Sequence, residues 1–126
     1  MFRTFKNVKT TYSNTQFSDL QEVISYIKDG SRPEVEKIKK LRTLEKGAEE
    51  FDKIKEFQLP CVLWNFTTNG GRTAENAIQS TGYIYFDIDD NLEFAFNPEY
   101  FTAYWRSVSN TGLAIIIGII KQICFC

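Results

Sequence analysis

The spacing of hydrophobic positions changes once along this chain, at Pro60. Before it, Leu20, Val23, Ile24 and Ile27 recur at intervals of three and four, the period of an amphipathic helix. Ser18 with Gln21 three residues on resembles a capping box ahead of this segment, and Gly30 supplies a stop. Ser31-Arg32-Pro33 opens the next helix, because proline fits a first turn where its missing N–H has no partner to lose. Val35, Ile38, Leu41 and Leu44 carry that helix forward. Phe51, Ile54 and Phe57 continue the pattern past Gly47, which divides it into two pieces.

After Pro60 the period becomes two. Residues 61–67 (CVLWNFT) and 83–89 (YIYFDID) are aromatic or β-branched runs bounded by Gly, Asn, Thr and Ser, which reads as strands. Asn69-Gly70-Gly71-Arg72 between them is a turn. Residues 100–106 (YFTAYWR) are strand-like, although Asn97-Pro98 could equally cap a short helix. Residues 113–120 (LAIIIGII) lack alternation, as a strand covered on both faces would. Such a strand wants a neighbour on each side, and if the chain ends at Cys126 it is expected at a sheet edge open to self-association. The expected order is helices first, then four strands.

A length of 126 residues and 43% hydrophobic content suit one folded domain with a buried core. Fifteen basic and sixteen acidic residues leave a net charge of -1, which argues against nucleic-acid binding by bulk charge. From Lys28 to Phe57 there are nine basic and eight acidic side chains with interspersed signs, the mark of a solvated helix face. The absence of histidine excludes Ser-His-Asp triads, Cys-His dyads and His-ligated zinc. Cys61, Cys124 and Cys126 make no disulfide framework and read as reduced thiols of a cytoplasmic protein. The polar amino end has no signal-peptide character, and the apolar run 113–120 is too short to span a bilayer, so no membrane association is expected.

Candidate chemistry concentrates at two places. In Tyr83-Ile84-Tyr85-Phe86-Asp87-Ile88-Asp89-Asp90 an apolar strand runs into carboxylates. Residues two apart on a strand share a face at a spacing of about 7 Å, so Asp87 and Asp89 project with Tyr83 and Tyr85, away from Ile84, Phe86 and Ile88. Two such carboxylates suit a divalent cation shared with substrate phosphates. An exposed strand end whose acids meet water or cap the next turn would show the same pattern. The second place is Ser107-Val108-Ser109-Asn110-Thr111-Gly112-Leu113, a hydroxyl-rich loop of the kind that cradles phosphate oxygens. An ordinary tight turn, with Asn110 or Gly112 at positive φ, has this composition as well.

These motifs in their order (Leu59-Pro60, Gly70-Gly71-Arg72, Thr81-Gly82 leading into Asp87-Ile88-Asp89, then Ser107-x-Ser109-x-x-Gly112-Leu113) resemble the VirE N-terminal domain family of the archaeo-eukaryotic primase (primase-polymerase) superfamily. The resemblance covers about residues 20 to 120 and includes the charged helix ending in KIKEFQLP. It implies an α+β fold with amino-terminal helices packed on a mostly antiparallel sheet. It also implies a place at the amino end of a larger replication protein of a mobile element or phage, ahead of a helicase-type ATPase, with DNA and nucleotides as partners. By the resemblance, Asp87 and Asp89 bind catalytic Mg²⁺ or Mn²⁺, Ser107, Ser109, Thr111 and Gly112 contact the phosphates of the incoming nucleotide, and Arg72 contacts phosphate or template. Ala114 stands where active members of the superfamily carry histidine, which implies weak or absent primer synthesis by this chain alone.

Two other readings start from the same residues. A helix-and-sheet module could bind DNA or a replication partner without turnover. Phe86-Asp87-Ile88-Asp89-Asp90-Asn91-Leu92 also resembles the first motif of haloacid-dehalogenase-type phosphatases, where the first Asp is the nucleophile and the second a general acid/base, with Ser109 in the place of that family's second motif. For that family only Lys121 remains as the later lysine.

Overall fold

The computed structural model describes residues 1–13, 15–93 and 97–119. Ile120, Lys121, Cys124 and Cys126 lie outside the described residues. The architecture is α+β with several antiparallel sheets. The strands are β1 (Phe2–Phe5), β2 (Thr15–Phe17), β3 (Cys61–Leu63), β4 (Phe66–Thr68), β5 (Ala77–Ser80), β6 (Tyr83–Ile88), β7 (Ala103–Arg106) and β8 (Leu113–Gly118). The helices are α1 (Leu20–Lys28), α2 (Glu34–Leu41) and α3 (Glu49–Phe57). Two strands precede the helices, so the helices are not amino-terminal.

The helical segments follow the period-3.6 pattern. Leu41, Phe51, Ile54 and Leu59 are buried together, with Ile38, Leu44 and Ala48 against them, while the charged face stays in water and carries the ion pairs Lys39–Glu36 and Lys40–Glu50. Gly47, at φ +86°, makes the corner between α2 and α3. The caps differ from expectation by one residue. Asp19 is the N-cap of α1, accepting from the Glu22 N–H at 2.9 Å, and the Glu22 carboxylate reaches back to the Ser18 N–H at 2.7 Å. Gln21 instead donates to Ser25 at 3.5 Å. A carboxylate accepts a backbone N–H more strongly than a neutral hydroxyl, which moves the box to Asp19. The stop of α1 is likewise Asp29, whose carboxylate accepts from the Ser31 N–H and hydroxyl at 2.9 and 2.6 Å. Gly30 has no positive φ.

The strands expected as one sheet divide among three. The segment 61–67 breaks at Trp64-Asn65: β3 joins β1 and β2 in the order β2-β1-β3, and β4 pairs with β5. The break is fixed by Thr81, which donates its hydroxyl to Trp64 O at 2.5 Å and its N–H to Asn65 O at 3.0 Å. The third sheet has the order β6-β8-β7. Here β8 is the central strand and not an edge, with residues 113–116 buried on both faces, as its unbroken apolar run requires. The segment 100–106 is a 3₁₀ turn, Pro98–Tyr100, followed by β7 alone. Every strand pair is antiparallel.

Aromatic rings join the layers. Phe2 of β1 meets Trp64 and Tyr83 at 6.0 and 5.8 Å between centroids, and Trp64 stacks on Tyr85 at 5.8 Å and 6°. Trp105 of β7 completes the cluster, 5.6 Å from Trp64. These contacts lie on the face of the third sheet that holds Tyr83, Tyr85 and Trp105. The other face leaves Ile84, Phe86 and Tyr104 at 37%, 43% and 50% exposure.

Candidate functional site

Pairing of β6 with β8 sets the geometry. Asp87 lies opposite Ala114 and Ile88 opposite Leu113, and β7 places Trp105 opposite Ala114 from the other side. The end of the carboxylate strand therefore adjoins the loop that leads into β8. The approach is close: a Cβ on Gly112 would collide with the carbonyl of Ile88, so only glycine fits there. The strand stops at Ile88, one residue short of expectation, because Asp90 turns the chain at φ +51°. Asp89 thus sits just past the ladder, and its place beside Asp87 rests on the turn and not on strand alternation.

The carboxylates form a charged group with lysines from the helical segment. Burial pushes the Asp87 carboxyl up, the charge of Asp89 adds to this, and Lys55 and Lys46 oppose it. Lys46 pairs with Asp90 at 2.7 Å; this hydrogen bond holds the ammonium pKa up, supported by the fields of Asp90, Asp89 and Asp87. The same bond is the main cause that lowers Asp90, followed by a hydrogen bond from Thr111. Tyr85, on the face of Asp87, is pushed up to about 12 by burial and then by Asp87 and Asp89.

The loop 107–112 is closed by its own hydrogen bonds. Ser107 N–H donates to Gly112 O at 2.9 Å, Asn110 N–H to Ser107 O at 2.9 Å, and Gly112 N–H to Ser107 Oγ at 3.1 Å. Asn110 is the residue at positive φ, +63°. Ser107 and Ser109 hydroxyls lie 3.2 Å apart, and Ser109 and Thr111 hydroxyls 2.9 Å apart. The Ser107, Ser109 and Thr111 hydroxyls thus form a contiguous row beside the Gly112 amide. Arg42, just after α2, clamps the loop from outside by donating to Val108 O at 3.0 Å and Ser107 O at 3.2 Å.

Asp87, Asp89 and the Ser107, Ser109, Thr111 and Gly112 loop are therefore neighbours. Arg72 is held elsewhere. It donates to Val8 O and to Cys61 Sγ (3.7 Å), and lies over the Phe5 ring at 5.4 Å; its backbone is tied to Thr11 O at 3.0 Å. None of these partners belongs to the carboxylate end. Cys61 is a free, half-buried thiol, and burial pushes its pKa up. Lys46 and Arg42 join the site without any sequence signal, since Lys46 is 44 positions from Asp90 and Arg42 is 65 from Ser107.

Two carboxylates with adjacent hydroxyls suit Mg²⁺, which keeps several waters and takes only one or two protein carboxylates. Among the described residues no group of three or more Asp, Glu, Cys or His side chains converges. No helix among them is long and apolar enough to cross a membrane. No family model, curated protein or solved structure matches this chain.

Proposed function

We propose that the domain is a primase-polymerase-like module of a mobile-element or phage replication protein, in which Asp87 and Asp89 hold Mg²⁺ or Mn²⁺ for nucleotidyl transfer. The observation that carries this reading is the β6–β8 register, which sets the carboxylate end against the loop Ser107–Gly112. Bound there, the metal would neutralise the leaving pyrophosphate and favour ionisation of the primer 3′-hydroxyl. The remaining work falls to the chain. The Ser107, Ser109 and Thr111 hydroxyls would turn toward phosphate oxygens, Arg42 would keep the loop in place, and Lys46 and Lys55 would limit carboxylate repulsion before the cation arrives. Ala114, directly opposite Asp87, offers no hydrogen-bonding side chain to the site, so primer synthesis by this chain alone is expected to be weak or absent. Isothermal titration with Mn²⁺ tests the metal role: binding by wild type that is lost in the Asp87→Asn/Asp89→Asn double variant is expected, and equal heats remove that role.

A second reading, a non-catalytic partner-binding module, is favoured by one observation. Lys46 already pairs with Asp90, next to Asp87 and Asp89, without a metal. The same titration separates the two readings.

A further inference from the structure

Between the helices and the aromatic face of the third sheet lies a cavity of about 470 Å³. Its walls are of two kinds. The aromatic residues Trp64, Tyr85 and Trp105 line it from the sheet side, and the charged residues that line it are three basic ones, Arg32, Arg42 and Arg106, and one acidic one, Glu34. The volume lies within the range of small-ligand pockets.

The arginines are not used up by the fold. The Arg32 side chain is only 13% exposed, and its Nε is buried with no hydrogen-bond partner among the described residues. It lies over Tyr26 at 4.0 Å and meets Glu34 at 3.6 Å, too long for a hydrogen bond. An orphaned guanidinium N–H is costly in a folded protein and marks a place where an acceptor is wanted. Arg42 and Arg106 bond only to loop oxygens, Val108 O, Ser107 O and Asn110 Oδ1, and neither forms an ion pair among the described residues.

We propose that this cavity binds a free nucleoside phosphate, its base against Trp64 and Trp105 and its phosphate on Arg32 and Arg42. Planar rings stack on indole faces, and guanidinium forks match phosphate oxygens in pairs. The choice of a nucleotide over another aromatic anion rests on the nucleotidyl-transfer reading, but the site shares no residue with the metal carboxylates and needs no cation. Because Arg42 also clamps the loop 107–112, a phosphate here would draw on the same guanidinium that positions the hydroxyls.

Both tryptophans of the chain line this cavity, so intrinsic fluorescence reports on it directly. Wild-type protein in excess chelator is titrated with deoxyadenosine monophosphate, deoxyadenosine and a short oligothymidylate. Saturable quenching by the monophosphate is expected, with deoxyadenosine roughly tenfold to a hundredfold weaker for want of charged hydrogen bonds. Arg32→Gln should reduce the monophosphate to the affinity of the nucleoside, and Arg32→Lys should recover part of it. Absence of quenching, equal affinity for nucleoside and nucleotide, or quenching by the oligonucleotide alone would overturn the proposal; the wild-type comparison stands even if a variant misfolds. Mn²⁺ heats without nucleotide quenching would sink this site and leave the metal reading, and quenching without Mn²⁺ heats would do the reverse.

Discussion

Asp87 has its charged form disfavoured by burial first and by Asp89 second, so its folded pKa lies above the unfolded one. The sign of the linkage follows. Protonated Asp87 favours the fold, a contribution that is complete below the unfolded pKa and lost as pH rises through the folded pKa. Asparagine is neutral at every pH and keeps that contribution. Asp87→Asn is therefore expected to be more stable than wild type at neutral pH, by less than about 1 kcal/mol because this side chain is partly solvated. The gain should disappear in acid below the ordinary carboxylate range. Thermal unfolding of both proteins across pH checks it, and a variant less stable than wild type at pH 7 would contradict it. At this scale the sequence was readable where chemistry is local: the D-x-D and the serine loop stand as contiguous motifs. It was silent about Lys46 and Arg42, whose roles arise from contacts across 44 and 65 positions within a run of mixed charge that looks uniformly solvated.

Among the elements, two glycines of similar sequence context differ in what they do. Gly47 sits at φ +86° and a Cβ there would meet nothing within 4 Å, so its requirement is backbone alone; Gly30 is equally open but has no positive φ. Gly47→Ala should cost about 1 kcal/mol or more by forcing a side chain into the left-handed region. Gly30→Ala should be neutral or stabilising by up to about 1 kcal/mol, since it removes freedom from the unfolded chain. Urea unfolding of the pair measures both, and equal effects would show that the α2–α3 corner does not depend on its dihedral. The helices, β6 and β8 were legible because each has enough residues to display a period. β1, β2 and β5 were not, having four, three and four residues. β5 is exposed throughout and so offers no alternation to read, and β3 and β4 are contiguous enough to pass for one strand until Thr81 fastens the corner between them.

For the molecule as a whole, Trp64 is where the layers meet: it follows β3 of the first sheet, leads into β4 of the second, and touches Phe2, Tyr85 and Trp105. The helices reach the third sheet across the aromatic cavity and through Arg42 and Lys46, so this junction adds to the backbone links that tie the three small sheets together. Fluorescence of the two tryptophans follows the junction, and far-ultraviolet circular dichroism follows α1, α2 and α3. In wild type the two unfolding curves should coincide, the mark of a single cooperative transition. Trp64→Ala should lower both midpoints together, at a cost below the roughly 3–5 kcal/mol of a fully buried tryptophan because Trp64 is half-buried. Only Trp105 then remains to report from the sheet side. If its curve moves while the helical curve stays in place, the junction does not couple the layers, and the cavity between them is a gap between independent parts and not a site the fold holds open.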